Sequence, residues 1–193
     1  DGDEETGVTI IKMDEKLDTG PIVVSEKLKA QNEKQTYREL HDKLAELGAE
    51  LLIKTIPDWI SDKIKAIPQD EIKATYTKIL KKEDGHINWD NSAEFIERQI
   101  RAFSSWPGSY ALIKVPINNF QLPNKSQIQN SKLLKILEAE TMMCDNDKKI
   151  GKVFLTEDKK LTVQCGQDCL TLLKLQLEGG KPLSTQDFLR GHS

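Results

Sequence analysis

At Trp106-Pro107-Gly108 the apolar spacing of the chain changes from the threes and fours of a helix to the twos of a strand. A chain with such a break must build two different kinds of interior. Upstream, Gly7-Val8-Thr9-Ile10-Ile11-Lys12-Met13 and Ile22-Val23-Val24-Ser25-Glu26-Lys27-Leu28 read as β-strands flanking the turn Asp18-Thr19-Gly20-Pro21. Thr36-Tyr37-Arg38-Glu39 has the form of a capping box and opens a helix whose Leu40, Leu44, Leu47 and Leu51 share one face. Pro57 predicts that this helix stops near Ile56. Residues 66–90 alternate charges with Pro68 and Gly85 and read as a connecting arm outside any core. A short helix follows, with Asn91 as N-cap, Glu94 reaching back to it, Ile96, Ile100 and Phe103 facing inward, and Arg98 and Arg101 off that stripe.

Downstream, Tyr110–Val115, Leu133–Ala139, Lys152–Leu155, Leu161–Cys165 and Cys169–Leu177 are expected strands, separated by turns such as Gly166-Gln167-Asp168 and Gly179-Gly180. Five short antiparallel strands suit a small closed barrel, and the Asn- and Gln-rich stretch from Asn118 to Ser131 reads as a solvated loop. The first half is harder to close. Two strands and one amphipathic helix supply too little apolar surface for an independent α/β core, and the first strand presents an edge. The expectation is the end of a larger sheet.

Charge divides along the same line. The whole chain holds 28 Lys+Arg against 31 Asp+Glu in 193 residues, but residues 1–110 carry 16 against 22 and residues 111–193 carry 12 against 9. A uniformly basic nucleic-acid coat is excluded, while the second half can face a polyanion. At 37% hydrophobic and 31% charged the composition is that of a folded protein, and no apolar run is long enough to cross a bilayer. The chain opens Asp1-Gly2-Asp3-Glu4-Glu5, with neither an initiating Met nor the basic and apolar start of a secretory signal, so a portion of a longer protein is expected. Cys144, Cys165 and Cys169 fit no zinc spacing and predict ordinary thiols in a reducing cytoplasm, with a Cys165–Cys169 redox pair as the alternative.

Five motifs carry a specific resemblance. Gly2-Asp3-Glu4-Glu5-Thr6-Gly7-Val8-Thr9-Ile10, Met13-Asp14-Glu15-Lys16-Leu17-Asp18-Thr19-Gly20-Pro21-Ile22, Lys43-Leu44-Ala45-Glu46-Leu47-Gly48-Ala49, Ile100-Arg101-Ala102-Phe103-Ser104-Ser105-Trp106-Pro107-Gly108 and Leu175-Gln176-Leu177-Glu178-Gly179-Gly180-Lys181 stand in one order. In that order the chain resembles the methionyl-tRNA formyltransferase family, from Gly2 to Asp187-Phe188-Leu189. The resemblance implies an α/β remnant (the end of a Rossmann-like formyltransferase domain) over residues 1–65, a helical linker over 66–106, and an all-β, OB-like C-terminal domain over 107–193. It implies a monomer when full length, in the cytoplasm and without a membrane.

The activity implied is formyl transfer from 10-formyltetrahydrofolate, with no metal, to the methionine amine of initiator methionyl-tRNA. Attack of an amine on a formyl carbon makes a tetrahedral oxyanion, which calls for a proton acceptor, a donor to the leaving nitrogen, and hydrogen bonds to the oxyanion. The family supplies these with an Asn, a His and an Asp in a Leu-Asp-x-Gly turn. Here the Asp matches as Asp18, while the Asn and His have no counterpart and neither His41 nor His86 lies in a motif that could replace them. The chain alone is therefore expected to be inactive. Asp14, Glu15, Lys16 and Leu17 match the loop lining the folate pocket, with Lys16 where a Gly is expected.

Asp-Thr-Gly-Pro is also good turn chemistry without catalysis. Lys78, Lys82, Arg98 and Arg101 are candidate tRNA phosphate contacts, against which stands a solvated helix face with Glu94 and Glu97 as charge partners. Trp106 is expected as a packing anchor. Two other readings remain open: the formyltransferase portion of a nucleotide-sugar modifying enzyme, and a non-catalytic RNA-binding module.

Overall fold

The computed structural model describes residues 2–29, 34–114 and 131–191. Two compact units divide between Ile79 and Leu80.

In the first unit, strands β1 (Glu5–Ile11) and β2 (Ile22–Lys29) form an antiparallel hairpin with Gly7 opposite Lys27 and Ile10 opposite Val24. Gly7 has no room for a side chain, since a Cβ there would lie 2.4 Å from the Glu26 carbonyl oxygen. β1 ends two residues before the expected Met13 because Lys12, whose N–H donates to the Pro21 carbonyl at 2.9 Å, faces a proline that has no N–H to return the bond. Helix α1 (Tyr37–Ile60) starts as expected: the Glu39 N–H donates to Thr36 Oγ1 at 3.4 Å and the Thr36 N–H donates to Glu39 Oε2 at 2.8 Å. Leu51 is buried and Leu40, Leu44 and Leu47 are half-buried on the side facing the hairpin.

The helix does not stop at Ile56. It runs one turn past Pro57, whose missing N–H and ring free and crowd the Ile53 carbonyl, and Ile53 is 72% exposed, on a side where that carbonyl can tilt out to water. Past α1, Ile67 and Ile22 exchange backbone hydrogen bonds, both 2.8 Å, and Asp70 caps a single 3-10 turn, Glu71–Lys73.

The second unit is a six-stranded antiparallel sheet. Its order is β3 (Ser109–Lys114), β4 (Ser131–Met142), β7 (Cys169–Leu177), β6 (Leu161–Gln164), β5 (Val153–Leu155), with β8 (Leu183–Ser184) paired to β7. All five expected strands form, but β3 and β5 stand at the two ends of the order and do not pair among the described residues, so the ladder is an open sheet and not the expected closed barrel. β8 and the short helix α3 (Thr185–Gly191) were not signalled by any periodicity, because two residues of strand and two turns of helix are shorter than the windows that reveal a period. Helix α2 (Ala93–Ala102) lays Ala93, Ile96 and Ile100 into a core with Ile136, Val163, Leu170 and Leu175.

Several details differ from expectation. The N-cap of α2 is Ser92, one residue on from Asn91, accepting from the Phe95 N–H at 3.2 Å. Ile87, placed in the connecting arm, is 1% exposed, because its N–H bonds the Tyr110 carbonyl at 2.9 Å and draws it under the sheet. Trp106 is 57% exposed and anchors no core. Cys144 and Cys169 are bonded rather than free, and Cys165 is the buried thiol. The ladder explains the pairing: Met142 lies opposite Cys169, which leaves the residue two further on with a Cα–Cα separation of 5.9 Å. The expected loop at 118–131 falls almost entirely outside the described residues.

Candidate functional site

The segment between β1 and β2 is a closed turn with an open rim. Its neck is the Lys12–Pro21 hydrogen bond, pressed shut by buried Gly20, where a Cβ would sit 1.9 Å from the Lys12 carbonyl oxygen. Inside the turn the Asp14 carboxylate accepts from the Lys16 N–H at 3.1 Å and from the Thr19 hydroxyl at 2.7 Å. Asp14 is thus spent on shaping the loop. These ties carry Asp18 through a left-handed conformation, φ 56°, a region in which Asp is several-fold enriched over most residues other than Gly. Among the described residues, no group pairs with the Asp18 carboxylate, which faces outward with Leu17 (88% exposed) beside it.

From a different part of the chain, Gln69 Nε2 donates to the Asp18 carbonyl at 2.8 Å and the Gly20 carbonyl at 2.7 Å. No sequence pattern pointed to Gln69, whose partners lie 51 and 49 residues away. An apolar cleft of about 190 Å³ lies between the hairpin and α1, with Ile10, Val23, Leu52, Ile56 and Trp59 among its walls.

The other candidate residues are engaged elsewhere. Arg98 pairs with Glu94, and Arg101 Nε lies 2.8 Å from Glu97 Oε1, itself 3% exposed. Both arginines thus have the i,i+4 charge partners of the helix-face reading, with Glu97 buried and not solvated. Lys78 belongs to the first unit, and Lys82, Arg98 and Arg101 to the second. His41, on α1, contacts Asp42 at 3.1 Å, and His86, in the second unit, packs edge-on against Tyr110. Among the described residues no group of His, Cys, Asp and Glu could hold a metal ion, and no helix is long and apolar enough to cross a membrane.

Residues 79–193 match the family described as formyl transferase, C-terminal domain, and residues 1–56 match formyl transferase. The chain belongs to the formyl transferase family. The methionyl-tRNA formyltransferase of Rickettsia bellii is 40% identical over 191 residues, covering 99% of this formyl transferase chain and 56% of its own length. That of Nitrosospira multiformis is 33% identical over 192 residues, again over 56% of its length. The chain therefore spans little more than half of these relatives. HypX from Aquifex aeolicus in complex with tetrahydrofolic acid has the same fold at a TM-score of 0.63 and 14% identity, over 97% of this chain and 30% of its own. The N-formyltransferase from Helicobacter canadensis in complex with folinic acid and dTDP-3-aminofucose matches at 0.56 and 23%, over 88% and 56%. The formyl transferase fold thus comprises here an α/β unit carrying the Asp18 turn and a β-sheet unit.

Proposed function

We propose that this chain acts, within a longer polypeptide, in transfer of the formyl group of 10-formyltetrahydrofolate to the methionine amine of initiator methionyl-tRNA, a step of translation initiation. The observation that carries the reading is the Asp18 turn: a carboxylate held in a left-handed, triply tied loop and left without a partner of its own. In this reading Asp18 orients an imidazole and stabilises its protonated form as the amine loses its proton, and the backbone of Asp14, Glu15, Lys16 and Leu17 borders the folate. Residues 1–65 are the end of the Rossmann-like domain and 66–106 lead from it into the OB-like domain 107–193.

In the longer enzyme, Asp18→Asn keeps the left-handed turn, which Asn also tolerates, and removes the charge. Turnover is expected to fall more than tenfold with the urea midpoint unchanged. A rate equal to the wild type would remove Asp18 from the reaction. The 193-residue chain by itself is expected to transfer no formyl group.

The tRNA reading is supported by the two formyltransferase relatives named above, and the sugar-nucleotide reading by a likeness of fold alone. Saturation of the rate by initiator methionyl-tRNA, with no turnover of an amino sugar nucleotide, separates the two. Lys78, Lys82, Arg98 and Arg101 contact tRNA phosphates in this proposal, the arginines by exchanging Glu94 and Glu97 for phosphate. Binding would then weaken steeply with salt, and a salt-independent Kd would count against phosphate contacts. A cytoplasmic monomer completes the proposal; the Cys144–Cys169 bond is the observation that stands against a reducing compartment.

A further inference from the structure

We infer that Gln69 is a positioning residue for Asp18, an inference that rests on the reading of Asp18 given above. A carboxamide nitrogen carries two hydrogens, and here each goes to a different carbonyl of one turn, Asp18 O at 2.8 Å and Gly20 O at 2.7 Å. Both partners are acceptors, which fixes the nitrogen as the inward atom. Clamping those two carbonyls sets the orientation of the Asp18–Thr19 and Gly20–Pro21 peptide units. It therefore sets the backbone rotation after Asp18, on which the direction of the carboxylate depends.

Gln69 is itself anchored on both sides. Two residues before it, Ile67 is doubly bonded to Ile22 at the foot of β2; the next residue, Asp70, caps the 3-10 turn by accepting from the Ile72 N–H at 3.2 Å. The strap thus ties the Asp18 turn to the strand that leaves it. Gln69 lies on the surface, and the neck of the turn is already closed by Lys12, Pro21 and Gly20. Its contribution is to where Asp18 points and not to whether the hairpin forms.

The test uses Gln69→Glu, which keeps the shape but sets a carboxylate against two carbonyls, and Gln69→Arg, which keeps N–H donors. In the 193-residue chain, Gln69→Glu is expected to speed amide hydrogen exchange in residues 12–22 about fivefold or more while residues 6–10 and 24–28 exchange as in the wild type. In the longer enzyme it is expected to lower kcat at least fivefold with KM within twofold, Gln69→Arg restoring part of the loss. Because Gln69 acts through Asp18, Gln69→Glu should cost nothing further in an Asp18→Asn background. Wild-type kcat in Gln69→Glu while Asp18→Asn is inactive overturns the inference, as do additive losses. If Asp18→Asn is itself fully active, the functional reading fails, and Gln69 then stands or falls on the exchange measurement.

Discussion

The two units receive similar supplies of apolar side chains and bury them very differently. In the second unit Ile87, Ala93, Ile96, Ile100, Ile136, Val163, Leu170 and Leu175 are all at 2% exposure or less. In the first, Leu51 and Thr55 are buried on α1, while Leu52, Ile53, Ile56 and Ile60 on the same helix are 45–75% exposed. A six-stranded sheet with α2 laid on it encloses a volume, whereas a two-stranded hairpin offers one face to one helix and leaves the rest of the helix open. The difference matters for function. In the enclosed unit a buried carboxylate, Glu97, is paired by Arg101, whereas in the open one the Asp18 carboxylate stands exposed on its turn.

The largest effect expected from this contrast is on cavity formation. Leu170→Ala in the enclosed core should cost about 2–5 kcal/mol, with Leu52→Ala on α1 below about 1 kcal/mol because the deleted atoms were already half in water. Urea unfolding followed by far-UV circular dichroism measures both. Comparable losses would mean that the first unit has an interior after all. Next come two glycines pressed against backbone: a Cβ on Gly166 would lie 1.9 Å from the Asp90 carbonyl oxygen, as one on Gly20 would from Lys12. Alanine at either is expected to cost about 1–3 kcal/mol. Amide exchange should loosen around the β6–β7 hairpin for Gly166→Ala and around the Asp18 turn for Gly20→Ala, each leaving the other unit unchanged.

The same contrast governs what could be read in advance. The strands of the sheet and the stripe Ile96/Ile100 were legible because an enclosed core imposes its period on local sequence. The Asp18 turn was legible through Gly20 and Pro21, whose conformational demands are local. What escaped depended on partners distant in sequence: Gln69 on carbonyls 49 and 51 residues back, and Cys144 on Cys169 across a ladder set by register. The overrun of Pro57 has a third cause. An interior proline costs less where the freed carbonyl can tilt out to water, and neighbouring residues alone do not reveal that.

Burial also sets chemistry in the enclosed unit. Desolvation pushes the Cys165 thiol up from 9.0 to about 11, with the Asp168 charge adding to it against a backbone hydrogen bond. A thiol whose folded pKa is raised favours the folded state while it stays protonated. The contribution is therefore full below pH 9 and is lost as pH rises towards 11. In the native chain at pH 8, iodoacetamide should leave Cys165 unmodified, whereas in denaturant it should react; rapid native labelling would show that the core admits solvent.

The smallest effect lies at the start of α1, on the exposed side of the comparison. Hydrogen bonds from the Thr36 N–H and hydroxyl hold the Glu39 carboxyl below its usual 4.5, with Lys43 adding slightly and desolvation opposing. A carboxylate lowered on folding contributes above its unfolded pKa and loses that contribution as pH falls through the folded one, so the cap should weaken only below about pH 4.5. Thr36→Ala removes the side-chain acceptor for the Glu39 N–H and should cost about 1 kcal/mol at neutral pH. The Thr36 N–H to Glu39 bond survives that substitution, so the carboxyl should return only part of the way towards 4.5 when followed by carbon-detected NMR. Because α1 faces its hairpin on one side only, helix fraying at Tyr37–Leu40 should appear before any change in the second unit. Simultaneous loss of both would mean that the two units unfold as one.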